Sequence, residues 1–177
     1  VDVGRAWFDM REPNLNVIIA DGRWGLARSE QTYDVIGVDA YRPPYIPWQL
    51  TTQEFFLDVR RHLKDNGVLV INVGRTPEDR RLIDALVGTI GSVFPSIHVV
   101  DVPGSFNTMV YATVQPTRPE NLAVNLQLLE ERSEVHPLLV DVLQRTVANL
   151  VETPSSKTVF TDDLAPVERL VDSIVIR

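Results

Sequence analysis

The chain alternates between short, continuously apolar runs and longer segments whose apolar residues recur at helical spacing. The runs cover residues 17–20, 33–40 and 67–74 and are rich in β-branched side chains. Strands that are apolar at nearly every position are typical of parallel sheets that helices cover on both faces. The pattern therefore predicts three buried, parallel strands.

Helices are predicted before and between these strands. Residues 1–8 have helical apolar spacing, with no capping signal ahead of them. Thr51 and Glu54 form a capping box for a helix that should end at the Asn-Gly pair of residues 66–67. Its core face should hold Phe55, Phe56, Val59 and Leu63.

A further helix and two further strands complete the predicted domain. Thr76 can cap this helix, with Pro77 at its first position. Its buried stripe should consist of Leu82, Ile83, Leu86, Val87 and Ile90. The strands at 97–102 and 109–114 are joined by a turn too short for a crossover helix, so they should be antiparallel.

The remaining residues predict a helical tail. Thr117 and Glu120 form a second capping box, and leucines follow at helical spacing. Another helix should follow His136-Pro137, and a short one should follow residues 161–168. Strands that alternate with helices and end in an antiparallel pair indicate an α/β fold.

Composition excludes several classes of function. The chain has 177 residues, no cysteine, and a net charge of −7, which disfavours binding to nucleic acid. The three histidines, His62, His98 and His136, lie far apart, so we expect no metal site. No apolar run is long enough to span a bilayer and no signal peptide opens the chain, so we expect a soluble, cytoplasmic protein.

Two acidic residues follow predicted strands, at the sheet edge where open α/β folds bind ligands. Asp21-Gly22 follows the first strand, and Asp39 closes the second. A carboxylate there can accept hydrogen bonds from an adenine amino group, a ribose or an amine, and Gly22 lets the backbone approach closely. The structural alternative is that Asp21-Gly22 is a turn and Asp39 a strand-end cap.

Two other segments are weaker candidates. The loop from Tyr41 to Trp48 contains three prolines and three aromatic residues, and it is either a pocket wall or a rigid loop packed on helices. Asp162 and Asp163 follow Thr161 and precede a predicted helix. They either cap that helix or contact a ligand.

Four motifs together resemble those of the spermidine synthase family, which has the S-adenosylmethionine-dependent methyltransferase fold. They are Ala20-Asp21-Gly22-Arg23, residues 33–41, residues 50–56, and Gly67-Val68-Leu69-Val70. Residues 161–168 are similar to the spermidine-synthase-like branch, which includes members fused to a membrane transporter domain. The resemblance implies a partial Rossmann-like domain at 1–115, mainly parallel, with a helical extension at 116–177 that packs on it.

The resemblance also implies roles for residues. Asp21 and Gly22 would bind the adenine of S-adenosylmethionine or its decarboxylated form, and Ala40 would line the same site. Asp39 would contact the nucleoside and act as the catalytic base that deprotonates an attacking amine. The substrate-binding residues would be Tyr41, Arg42, Tyr45, Trp48 and Asp162.

Two departures from the family pattern affect these expectations. Arg42 stands where synthases have a second aspartate, and its guanidinium would repel a diamine. The family's Gly-x-Gly loop and first two strands would precede Val1, which leaves a sheet edge open to association. We therefore expect a homo-oligomer and either a transferase of aminopropyl or methyl groups or a non-catalytic assembly module.

Overall fold

The computed structural model describes residues 1–41 and 46–175. The helices are α1 (Asp2–Trp7), α2 (Gly22–Ala27), α3 (Gln53–His62), α4 (Arg81–Gly91), α5 (Glu120–Glu130), α6 (Pro137–Ala148) and α7 (Val167–Val175), with a 3₁₀ turn at Trp48–Leu50. The strands are β1 (Tyr33–Val38), β2 (Leu63–Gly74), β3 (Ser96–Asp101), β4 (Asn107–Thr113) and β5 (Leu150–Val151). The α/β class predicted from the sequence is confirmed.

The five strands form one mixed sheet in the order β1-β2-β4-β3-β5. Strands β1 and β2 are parallel, and β4 is antiparallel to both β2 and β3, which confirms the predicted antiparallel pair. The expectation of a mainly parallel sheet is wrong for the described residues. Because β4 lies between β2 and β3, three of the four strand pairings are antiparallel.

Residues 17–20 do not form the predicted strand. A strand needs a hydrogen-bonding partner, and none of the strands in the described part of the chain pairs with this segment. Ile18 and Ile19 are consequently 75% and 84% exposed. The β-branched residues favour an extended backbone, but a strand also needs a neighbouring strand with which to form hydrogen bonds.

Strand β1 is only partly buried, contrary to the prediction of burial on both faces. Within the described residues it pairs only with β2, and Val35 is 58% exposed. Strand β2 is paired on both sides, and its Leu69, Ile71 and Val73 are fully buried. A strand at the edge of a sheet buries less of its surface than a strand that is paired on both sides. The apolar runs of β1 and β2 look alike in the sequence, so the runs alone did not predict this difference in burial.

Helix α3 buries Phe55, Phe56 and Val59 as predicted, but its ends differ, and Leu63, predicted for the same face, begins β2. Thr52 rather than Thr51 is the cap, and its hydroxyl accepts a hydrogen bond from Phe55 N. The helix ends at His62 instead of at residues 66–67. Strand β2 begins at once with an irregular stretch, in which a Cβ at Gly67 would lie 2.8 Å from Leu63 Cβ. Only glycine fits that approach.

Helix α4 buries all five residues of its predicted stripe but starts later than predicted. The Thr76 hydroxyl accepts a bond from Asp79 N and stabilises a turn, and the helix begins at Arg81. A strap of chain, residues 152–160, crosses this helix. A Cβ at Gly88 would lie 2.3 Å from Thr158 O, so the strap can pass only over a glycine.

The tail contains the predicted helices α5 and α6, which contact each other and bury no residue. Thr117 does not cap α5, because its hydroxyl bonds to His98 Nε2. After α6, the two-residue strand β5 pairs with β3, which the sequence pattern did not predict. The domain division at residue 115 stays a prediction.

Phe56 should be essential for stability, because its ring is fully buried between α3 and the sheet. We expect Phe56→Ala to lower the free energy of unfolding by about 3–5 kcal/mol, through lost burial and an unfilled cavity. Its neighbour Leu57, 45% exposed, provides the control, and Leu57→Ala should cost less than about 1 kcal/mol. Urea unfolding followed by circular dichroism measures both. Equal losses would contradict this assignment of the core.

Candidate functional site

A cavity of about 970 Å³ lies beside β1. Its walls are residues of the 16–22 segment, α2, the connection to β1, and β1 itself. Asp21, Gly22 and Asp39, predicted from the ends of apolar runs, all line it, as does Ala40, which the family resemblance implied. Their binding of a nucleoside stays a prediction.

Asp39 follows β1 and is exposed. The β1–β2 register places it beside Asn72, whose side-chain Nδ2 donates a hydrogen bond to Asp39 Oδ1 at 3.2 Å. Asn72 Oδ1 is buried and has no hydrogen-bond partner within the described residues. The sequence analysis missed Asn72, although it is the single polar residue within the apolar run 68–73.

Tyr41 lies next to this pair. Its hydroxyl donates to the backbone oxygen of Asn72 at 2.6 Å. Loss of solvent around the phenol raises the pKa of Tyr41, and the negative charge of Asp39 acts in the same direction. The hydroxyl therefore remains a donor at neutral pH.

Asp21 caps α2. Its Oδ1 accepts a hydrogen bond from Trp24 N at 3.0 Å, which bears out a local structural role for this carboxylate. Among the described residues, Oδ2 has no hydrogen-bonding partner. A Cβ at Gly22 would meet no atom within 4 Å, so the backbone there faces open space.

Asp162 is fixed by an ion pair far from it in sequence. Arg23 Nη1 and Nη2 each donate to one of its carboxylate oxygens at 2.7 Å, and Thr52 Oγ1 donates to Oδ1 at 2.7 Å. The Asp162 backbone N–H donates to Glu54 Oε2 at 3.0 Å, which explains why Glu54 does not complete a capping box. Asp162 does not line the cavity.

The structure describes only part of the aromatic loop at residues 41–48. Arg42 and Tyr45 lie outside the described residues. Trp48 begins the 3₁₀ turn, is 43% exposed, and does not line the cavity, and Tyr41 does not line it either. Buried Ile46 anchors the loop on the core. Substrate binding by these residues stays a prediction.

Two further properties concern the described residues only. Within 1–41 and 46–175, no three acidic or histidine side chains are grouped as metal ligands. Over the same ranges, no helix has both the length and the apolar character needed to cross a membrane.

The fold is similar to those of solved spermidine synthase and methyltransferase-like structures. A spermidine synthase structure in complex with the transition-state analogue AdoDATO superposes with a TM-score of 0.59 at 19% identity, covering 80% of this chain and 52% of that one. Human methyltransferase-like protein 13 in complex with SAH gives a TM-score of 0.56 at 24% identity, covering 87% of this chain and 69% of that one. These similarities define the fold.

The sequence comparison defines the family. Residues 4–125 match the model of the spermine/spermidine synthase domain. The chain belongs to that family, as its motifs indicated.

Curated relatives carry consistent names. A probable polyamine aminopropyl transferase of Bifidobacterium longum is 35% identical over 98% of this chain and 43% of its own length. A polyamine aminopropyltransferase of Vibrio vulnificus is 30% identical over 84% of this chain and 47% of its own length. The chain thus spans less than half the length of these relatives.

The Arg23–Asp162 pair predicts a pH dependence. Hydrogen bonding to Arg23 holds the pKa of Asp162 below its usual value of 3.8. The lowered pKa means that the pair stabilises the folded state above that value and loses this effect as the pH falls through the folded-state pKa. Asp162 is 41% exposed, so solvent screening limits the contribution to about 1 kcal/mol or less.

A carbon-13 titration of the Asp162 carboxyl measures this directly. We expect Arg23→Ala to raise the titration midpoint of Asp162. Identical midpoints in the two proteins would show that Arg23 does not set this pKa.

Proposed function

We propose that this chain carries the adenine side and the acceptor side of an aminopropyltransferase active site. The donor would be decarboxylated S-adenosylmethionine and the acceptor an amine. The observation that carries the proposal is that Asp21 and Asp39, which follow different apolar runs of the sequence, line the same cavity. Membership of the spermine/spermidine synthase domain family supports this choice of chemistry.

The cavity suits a nucleoside. Its volume of about 970 Å³ lies in the range of pockets that bury small organic ligands. Asp21 Oδ2 would accept a hydrogen bond from the adenine amino group while Oδ1 remains bonded to Trp24 N. The open space at Gly22 would let the purine approach the backbone. No two glycines of the chain are spaced as Gly-x-Gly, so no residue here is assigned to the donor's aminopropyl portion.

Asp39 would accept a proton from the attacking amine. The nitrogen lone pair then attacks the propyl carbon next to the sulfonium, the carbon–sulfur bond breaks, and its electron pair stays on sulfur, which releases methylthioadenosine. The hydrogen bond from Asn72 would orient the carboxylate during this step. Asp39 remains exposed beside this hydrogen bond, so the acceptor amine could reach its carboxylate.

The acceptor would differ from a simple diamine. Arg42 occupies the position at which the family resemblance implies a second aspartate, and its positive charge disfavours a second ammonium group. An acceptor with one amine and one acidic group would carry charges opposite to those of both Asp39 and Arg42.

Calorimetric titration of the 177-residue chain tests the proposal. Decarboxylated S-adenosylmethionine, S-adenosylmethionine and methylthioadenosine are the probes. We expect the first and third to bind, because both present the adenosine group and its sulfur without a carboxylate. Preferential binding of S-adenosylmethionine would indicate methyl transfer instead. A folded chain that binds none of the three would contradict the proposal.

Asp39→Asn separates catalysis from binding. Removing the proton acceptor should lower turnover by about 100-fold or more and leave nucleoside affinity nearly unchanged. Asp34→Asn is the matched control, since Asp34 is an exposed aspartate on the same strand that pairs with Lys64. A fully active Asp39→Asn protein would exclude Asp39 as the base.

A second candidate function is that of an assembly module that keeps the fold without the complete site. The observation in its favour is that, among the described strands, β1 is paired on one side only and its Val35 is exposed. Unpaired strand edges of this kind promote association.

The mass of the protein in solution tests whether the chain associates through β1. We expect the wild type to form a dimer through β1 and Val35→Lys to be a monomer, because a charge on an edge strand opposes pairing. Val124→Lys, on the α5 surface at similar exposure, should leave the dimer intact. Light scattering coupled to size exclusion measures each mass, and a monomeric wild type would contradict association through β1.

A further inference from the structure

We infer that Asp162 is a positioning residue: through Arg23 it holds helix α2, and with it the carboxylate of Asp21, against the rest of the domain. The inference rests on the proposed function, in which Asp21 contacts the adenine. It assigns to residues 160–164 a part in forming the nucleoside cavity although Asp162 lies outside the cavity wall.

Helix α2 has little apolar anchorage of its own. It is six residues long and contains no buried residue, and Leu26 is its one side chain that packs partly against the core. Its cap, Asp21, belongs to the cavity. A helix this short is not stable in isolation, so its position depends on bonds to other elements.

Arg23 supplies those bonds. Both of its terminal nitrogens bind the Asp162 carboxylate, and Nη1 also donates to Gln49 O at 3.2 Å. The guanidinium therefore connects α2 to the 3₁₀ turn and to the C-terminal segment at once. A bidentate arginine–carboxylate pair fixes orientation as well as distance, which a single point charge does not.

Asp162 is itself held firmly. Thr52, fully buried at the start of α3, donates to its Oδ1, and Glu54 accepts from its backbone N–H. Two residues before it, Phe160 is buried; its N–H donates to Thr89 Oγ1 and its carbonyl accepts from Gln53 N. The carboxylate that receives Arg23 is thus fixed to both α3 and α4.

The test compares Asp162→Asn with Asp163→Asn in the full 177-residue chain. Asp163 is the adjacent, exposed aspartate and serves as the matched control. The asparagine at 162 keeps the shape but removes the charge and one acceptor oxygen. Hydrogen exchange of the α2 amides in the absence of ligand is the first readout, and calorimetric affinity for methylthioadenosine is the second.

We expect faster exchange in residues 22–27 and about tenfold weaker methylthioadenosine binding for Asp162→Asn, with neither change for Asp163→Asn. Exchange of the α4 amides should stay the same, which separates loss of positioning from general destabilisation. The exchanged pair Arg23→Asp with Asp162→Arg should restore part of the affinity.

The two proposals fail in different ways. Unchanged exchange of the α2 amides in Asp162→Asn would overturn the positioning role, whatever the wild type binds. Faster exchange with unchanged affinity would equally overturn it. A wild-type chain that binds no nucleoside would instead contradict the proposed function, and the exchange data alone would then decide whether Asp162 holds α2.

Discussion

Two-sided backbone pairing of β2 is the constraint on which the rest of this structure depends. Bonded to β1 on one side and β4 on the other, β2 buries Leu69, Ile71 and Val73 completely on one face. Because side chains alternate along a strand, the same pairing turns Asn72 to the opposite face. The parallel register with β1 then brings Asp39 within hydrogen-bonding distance of Asn72. Core and candidate site are consequently fixed by one set of backbone bonds.

Periodic apolar patterns predicted the elements that bury a face. The predicted stripe of α4 is buried residue for residue, and that of α3 is buried as far as the helix extends, since helical spacing and burial are directly linked. The apolar patterns gave wrong predictions where an element depends on a hydrogen-bonding partner from elsewhere in the chain. Residues 17–20 have the composition of a strand but pair with none of the described strands, whereas β5 is two residues long and exists through its pairing with β3. Hydrogen-bond competition moved the caps: Thr51 donates to Trp48 O, which leaves Thr52 to cap α3.

The candidate site was predictable to the extent that strand ends meet at one sheet edge. That rule placed Asp21 and Asp39 together, even though the first of the two strands did not form. It could not identify Asn72 as the partner of Asp39, because the sequence of neither strand determines the β1–β2 register by itself. Nor could local spacing relate Arg23 to Asp162, which are 139 residues apart. Pairings at such separations follow from the tertiary fold.

The distance along the chain between Arg23 and Asp162 has a consequence for biosynthesis. A ribosome makes the chain from its amino terminus, so α2, β1 and β2 emerge well before the segment that carries Asp162. The sheet can begin to form during translation, but the bidentate contact to α2 cannot form until the segment that carries Asp162 leaves the ribosome. Nascent chains would therefore pair their first strands before Asp21 is held in place, which delays formation of the cavity until residue 162 has emerged.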